Sequence, residues 1–448
     1  MHESMKTIRG ATAAAFLALA CAGALAQASA PVAASASAST PASAPAPATD
    51  WRSLNRQART QAKAGDYAGM HETLRALAPL MPGSATVAYN LAATAARLGH
   101  GDEAIGHLMR LADAGLRYEL DKDEDFASLA DRADYRTVRD RLARDGQAVG
   151  GSKRLAAIAG VDAVPESLAW DAAAHRLFVA GVRHCEIRVM DDPRRRGARE
   201  RLFTRLPASV FALAVDRRHQ RLWATVATVP QGEGCGDGPV KEERTALLAL
   251  DLRSGRVLQR IAAGVPGVLG DMLLADDGSV FVTESVHGAV LRLRAGASAF
   301  ERIDPPGEFV SPQTPALAAD GRTLLVPDYV RGIGAIDLAA PPSVRWLPNG
   351  PGVFSAGVDG FLRDGDGFLA VQNGSAPPRL VRLSADLMHQ QVLESGTPDL
   401  GEPTHVILVD GRPWFISDVG WDRLDDEGHR KAGMAPARPE LRQLDRAR

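Results

Sequence analysis

Asp171-Ala-Ala-Ala-His-Arg-Leu-Phe178 is a turn built on Asp that leads into a strand with an aromatic at its centre, and the chain writes it six times. The other copies are Asp216-Arg-Arg-His-Gln-Arg-Leu-Trp223, Asp276-Asp-Gly-Ser-Val-Phe281, Asp320-Gly-Arg-Thr-Leu-Leu325, Asp364-Gly-Asp-Gly-Phe-Leu369 and Asp410-Gly-Arg-Pro-Trp-Phe415. With Phe178, Trp223, Phe281, Leu325, Leu369 and Phe415 set equivalent, the intervals are 45, 58, 44, 44 and 46 residues. That period suits four-strand sheets stacked around an axis, and the expected fold is an all-β six-bladed propeller.

Each blade must pack against its neighbours to cover its faces, so the ring closes and its axial channel collects one loop from every blade. Arg154-Leu-Ala-Ala-Ile158 has strand character but no blade of its own, and the last blade ends at Leu441-Arg-Gln-Leu444. Pairing the two would close the ring without free edges, which places the propeller over residues 150–448. The long second interval falls in a Gly-rich loop, Val229–Arg244, between the second and third strands of blade two.

Upstream the composition changes three times. Residues 1–26 carry Lys6 and Arg9, an apolar run from Ala11 to Ala20, and Ala24-Leu-Ala26, the order of a secretory signal peptide. Cys21 offers an alternative lipoprotein processing site. Residues 27–49 are nearly all Ala, Ser and Pro and read as a disordered tether. Residues 50–147 are helical in pattern, and Gly65, Leu74 and Leu77 recur as Gly99, Leu108 and Leu111 at a shift of 34. This is the tetratricopeptide period, so an all-α tetratricopeptide-like domain is expected, either as a peptide-binding groove or as a spacer bracketing the propeller. Asp121-Lys-Asp-Glu-Asp125 lacks the central Gly and distal Glu of a calcium loop and reads as a solvated turn.

The net charge of −2 offers no basic surface for nucleic acid, and the mature chain has no apolar run long enough to span a bilayer. An export signal implies a periplasmic or secreted protein in an oxidising compartment. Cys185 and Cys235 fall in corresponding loops of neighbouring blades, and are expected either as a disulfide or as two separate thiols.

At the starts of the inner strands stand Glu166, Asp271, Gln313, Asp359 and His405. Carboxylates and an amide oxygen converging from different blades form a donor set for a hard divalent cation, calcium above all. Glu166, Asp271, Gln313 and Asp359 are the candidate ligands. Asp359 and His405 are the candidate proton-transfer groups, and His405 is equally readable as a structural residue or a ligand.

Pro165-Glu-Ser-Leu-Ala-Trp-Asp171, Gly270-Asp-Met-Leu-Leu-Ala-Asp-Asp-Gly278, Val282-Thr-Glu284 and Val358-Asp-Gly-Phe361 resemble segments of the senescence marker protein, gluconolactonase and luciferin-regenerating enzyme family. Ala370-Val-Gln-Asn-Gly374 and Glu402-Pro-Thr404 extend the resemblance, which runs from about Val161 to Trp421. It implies a six-bladed propeller with a divalent metal near the axis, Glu166 and Asp359 on ligand positions, and hydrolysis of lactones or related esters. The chain departs from that pattern in two places: Gln313-Thr314 stands where the lactonases have Asn-Gly, and Val268-Leu-Gly-Asp271 lacks their substrate-holding Arg and Asn. Two functions are therefore expected: an exported scaffold that binds a small molecule or a protein or peptide partner, and, as the alternative, a metal-dependent hydrolase. No nucleophile elbow, phosphate loop or paired-Cys zinc pattern is present.

Overall fold

The computed structural model describes residues 50–144, 148–158, 160, 162–233, 235 and 245–444. The expected signal peptide with Cys21, the tether over 27–49, and most of the blade-two insertion lie outside the described residues.

The strands form six four-stranded antiparallel sheets. Blade one is β2–β5 (Pro165–Asp171, Arg176–Gly181, Glu186–Asp191, Glu200–Arg205), and blade two is β6–β9 (Ser209–Asp216, Arg221–Ala227, Ala246–Asp251, Val257–Ala262). Blade three is β10–β13 (Leu269–Leu274, Val280–Glu284, Ala289–Leu293, Glu301–Arg302), and blade four is β14–β17 (Ala316–Leu317, Thr323–Asp328, Gly332–Asp337, Arg345–Trp346). Blade five is β18–β21 (Phe361–Asp364, Gly367–Gln372, Arg379–Ser384, Gln390–Ser395). Blade six takes β22–β24 (Val406–Val409, Arg412–Ser417, Glu440–Gln443) and, as its outermost strand, β1 (Lys153–Ala157) from the start of the propeller.

The six residues set equivalent in the sequence all fall on second strands, and all are buried: Phe178, Trp223, Phe281, Leu325, Leu369 and Phe415. Their partners on the first strands are Ala169, Ala214, Leu273, Ala316, Leu362 and Val406. The turns before them have a common cause. Asp171, Asp216, Asp277 and Asp320 each accept a hydrogen bond from a backbone N–H two or three residues on, at 3.2, 3.1, 2.8 and 2.8 Å, which closes a tight turn locally.

Five helices precede the ring: α1 (Trp51–Ala64), α2 (Tyr67–Leu77), α3 (Ala85–Arg97), α4 (Gly101–Asp113) and α5 (Ala133–Arg144). Asp50, Asp66 and Ser84 cap the first three by accepting from backbone N–H groups of their first turns. The 34-residue period corresponds to one helical hairpin. Gly65 and Gly99 turn the two hairpins in left-handed conformation, and Leu74, Leu77, Leu108 and Leu111 are all buried. The charged turn is not simply solvated: the Tyr89 hydroxyl donates to Asp123 at 2.6 Å, and Arg97 pairs with Asp125, so both acids anchor the turn to α3. No helix among the described residues is long and apolar enough to cross a membrane.

The helical stack docks on blades four and five, over the loops that join second to third strands and blade to blade. Gly83 donates its N–H to the Arg331 carbonyl at 3.1 Å and accepts from Ala356 at 3.0 Å, while Arg117 donates to Ala376 at 2.8 Å. Fully buried Arg379 reaches from β20 to the Ala114 carbonyl just beyond α4. A Cβ on Gly83 would stand 2.7 Å from the Gly332 Cα and 2.6 Å from Ser355 Oγ. Gly106, inside α4, faces open space.

The two glycines should therefore respond with opposite sign to the same change. Gly83→Ala should lower stability by about 1–3 kcal/mol and speed amide exchange around Ala114 and Ala356. Gly106→Ala should raise stability by about 0.5–1 kcal/mol with exchange there unchanged. Denaturant melts with hydrogen-exchange mass spectrometry compare them, and an undisturbed Gly83→Ala protein would contradict this docking.

Candidate metal centre in the channel mouth

Backbone irregularity aims the acids. The β2–β3 register slips between Pro165 and Leu168, and the β10–β11 register between Leu269 and Asp271, so bulges sit beside Glu166 and Asp271 at the starts of their inner strands. Asp359 stands two residues before β18, where its carbonyl accepts from Thr314 N–H at 3.4 Å. A fourth acid, Glu402, arrives from the loop before β22.

Each acid accepts hydrogen bonds from neutral donors. Trp421 Nε1 donates to Glu166 Oε2 at 3.0 Å, and Thr314 Oγ1 to Asp271 Oδ1 at 2.5 Å. Asn373 Nδ2 and Thr404 Oγ1 both donate to Asp359 Oδ2, at 2.6 and 2.9 Å, and the Tyr329 hydroxyl holds Asn373 by its Oδ1 at 2.9 Å. Asp422 N–H donates to Glu402 Oε2 at 3.0 Å. Among the described residues none of the four acids has a Lys or Arg partner, and Glu166, Asp271 and Asp359 each keep one oxygen without a hydrogen bond.

Burial together with mutual repulsion sets their protonation. Desolvation, then the Asp359 charge, pushes Asp271 up to about 8. Desolvation first, then Asp422 and Asp359, raises Glu402 to about 7. Glu166 rises well above its ordinary range for the same reasons, with Asp359, Asp271 and Glu402 all adding to it. Asp359 is raised by burial against the opposing bonds from Thr404 and Asn373. The hydroxyl of Tyr329 is likewise driven up by burial and the neighbouring Asp359 and Glu402 charges.

The other expected residues lie differently. Gln313 turns its amide onto its own loop, donating to the Ser311 carbonyl and hydroxyl at 3.1 and 3.0 Å, and its neighbour Thr314 meets Asp271 instead. His405 bonds to the Leu168 backbone, and burial lowers it to about 4, so its imidazole is neutral across the physiological range. Cys185 and Cys235 are brought together with Cα atoms 5.5 Å apart, inside the range a disulfide requires.

An all-oxygen set of unpaired acids fits a hard cation. Among the described residues the axial acids do not draw three ligand oxygens within 4.8 Å of one another. A shared ion would have to draw them closer.

No protein-family model matches the chain, and no curated protein is significantly similar to it. Solved structures similar to it include a gluconolactonase from Xanthomonas campestris, at 18% identity and TM-score 0.45, covering 66% of this chain and 90% of that one. A luciferin-regenerating enzyme is 14% identical with TM-score 0.48, covering 66% and 96%. The calcium-binding protein regucalcin from Agrobacterium tumefaciens is 14% identical with TM-score 0.47, covering 66% and 93%.

Two outcomes follow from the geometry. Native Asp271 and Glu402 keep protons to about pH 8 and 7, whereas in the unfolded chain they lose them near pH 4. The folded state thus binds more protons in that window, and stability of metal-free protein should fall as pH rises from 5 to 8. Thermal melts should show the fall, Asp271→Asn should flatten it, and a pH-independent melting temperature would contradict the cluster. Separately, protein made in an oxidising compartment should resist alkylation at Cys185 and Cys235 until reduced, as read by intact mass.

Proposed function

We propose that the chain is an exported propeller that binds a divalent cation, calcium by the character of its donors, in the acidic mouth of its channel, and uses that site to hold a small-molecule ligand or a protein partner. Supporting this reading is one observation above others: four partly buried carboxylates converge without a Lys or Arg partner among the described residues. Such a cluster favours protons or a cation and repels anions, and the Arg that would clamp an anionic substrate is missing from Val268-Leu-Gly-Asp271. Tyr329 and Trp421 border the same acids and offer flat apolar surface to a bound ligand. Docking of the helical stack on blades four and five, and of the blade-two and blade-six loops on each other through Gln231 and the Asp425 carbonyl, narrows the approach.

A second reading, hydrolysis of a lactone or related ester, draws on the acids held near neutrality, where a carboxylate both takes and returns a proton efficiently. A bound cation supplies carbonyl polarisation and a more acidic water. Asp359, oriented by Asn373 and Thr404, would be the proton acceptor. His405 is occupied with Leu168, so proton return would fall to Glu402 rather than to the imidazole.

Calcium titration calorimetry decides the first reading. Asp359→Asn should weaken binding about tenfold or more, while Asp366→Asn, at a fully exposed turn, should leave it unchanged. Binding at pH 6.5 should release protons, so the apparent heat should vary with the buffer's ionisation enthalpy. Equal affinities in the two variants would overturn the axial site. A lactone and ester panel with and without chelator then separates the readings: turnover lost with chelator and in Asp359→Asn supports the hydrolase, and calcium binding without turnover supports the scaffold.

A further inference from the structure

We propose that the helical stack carries a second metal site of different chemistry, a zinc-class centre made by His71, His100 and Glu103 with His107 as its fourth ligand. It is independent of the channel site and rests on other residues.

His71 lies on α2, His100 at the N-cap of α4, and Glu103 and His107 one turn apart on α4. Ligand atoms of His71, His100 and Glu103 lie within 4.8 Å of one another. Glu103 is the hub: His71 Nε2 stands 3.4 Å from its Oε1, His107 Nε2 3.9 Å from the same oxygen, and His100 Nδ1 3.8 Å from Oε2. Tetrahedral zinc at 2.0–2.1 Å from its ligands separates them by about 3.3 Å, a spacing that His71, His100 and Glu103 approach as they stand, whereas His107, outside that group of three, would have to swing in to join them.

The tautomer of His71 points the same way. Its Nδ1 lies 2.8 Å from Thr94 Oγ1, and that hydroxyl donates its only proton to the carbonyls of Asn90 and Leu91. With that proton on a carbonyl, Thr94 accepts from Nδ1–H, the tautomer that leaves Nε2 with a free lone pair. The ring is 98% buried, Nε2 has no hydrogen-bond partner, and it faces a carboxylate oxygen. A buried lone pair facing a carboxylate oxygen is unfavourable unless a Lewis acid or a proton lies between them, although Glu103 itself is about a third exposed, its side chain at 35%. Orienting the ring through its other nitrogen is how proteins prepare a histidine ligand, with Thr94 in that role here. Buried His107 Nδ1 is also without a partner. Three imidazoles and one carboxylate suit a borderline divalent ion better than calcium. The ion would staple the first helical hairpin to the second.

The test uses full-length, untagged, metal-stripped protein titrated with Zn2+ by calorimetry, with Co2+ absorption reporting nitrogen ligation and tetrahedral geometry. Wild type and Asp359→Asn should each hold one zinc at this site. His100→Ala and Glu103→Gln, both at solvent-accessible side chains, should weaken it at least tenfold, and Thr94→Val by about 10–100-fold with all four ligands still present. Zinc should raise the melting temperature of wild type and not of His100→Ala. Absence of stoichiometric zinc, or zinc lost in Asp359→Asn and kept in His100→Ala and Glu103→Gln, would overturn the proposal; the second pattern would assign the ion to the channel.

Discussion

The antiparallel pairing of β1 with β24 is the contact on which the remaining architecture depends. Six sheets packed face to face still have two ends, and a ring left open there would expose backbone donors and acceptors along a strand edge. Here Lys153 pairs with Gln443, Arg154 with Arg442, Ala156 with Leu441 and Ala157 with Glu440, so the first strand of the propeller completes its last blade. The same segment is tied sideways: Val149 bridges Ser395 of blade five, Ser152 donates to Glu394, and Arg442 donates to Ser152. Because α5 ends only a few residues earlier, this closure also fixes where the helical stack can reach, and it comes down on blades four and five.

Closure has an electrostatic consequence at the axis. A ring brings the starts of its inner strands close together whatever residues they carry, and in this chain they carry acids. Separated on the surface, Glu166, Asp271, Asp359 and Glu402 would ionise near pH 4 and cost little. Gathered in a half-buried mouth with no Lys or Arg partner among the described residues, all four are raised, Asp271 to about 8 and Glu402 to about 7, which gives the mouth a charge that a cation could complete. The neutral donors matter for the same reason. Trp421, Thr314, Asn373 and Thr404 orient the carboxylates without neutralising them, so the attraction for an ion is kept.

What was legible in the sequence divides by range. The blades could be read because an Asp or Gly turn and a buried aromatic are local signals that repeat at a fixed interval. Glu166, Asp271 and Asp359 could be read because strand alternation and blade position together predict what faces the axis. Gln313 shows the limit of that logic: it lies in the loop before β14, where strand alternation does not apply, its amide bonds Ser311, and it is Thr314 that meets Asp271. Glu402, Tyr329, Asn373 and Trp421 come from loops of irregular length, Trp421 from the long connection between β23 and β24, and their approach to the axis exists only after the ring has formed. Glu402 and Asn373 did stand in segments carrying the family resemblance, but nothing in their spacing marked them as parts of the site. The disulfide partners were readable because blade neighbours bring corresponding loops together.

The histidine cluster was invisible for a further reason. His71 and His100 are separated by the whole of α3, and neither lies in a metal-ligand motif; only packing of α2 against α3 and α4 brings Thr94 to one nitrogen of His71 and Glu103 to the other. Its chemistry nonetheless differs from that of the channel in a way that assigns each its own ion. The channel offers oxygens alone, those of Asp271 and Glu402 losing their protons around neutrality, and so would compete for a hard cation better as the pH rises. The helical cluster offers neutral nitrogens and a single carboxylate, a set that a borderline ion prefers over calcium. If both proposed sites bind, donor hardness would bias the channel toward a hard cation and the helical cluster toward a borderline one.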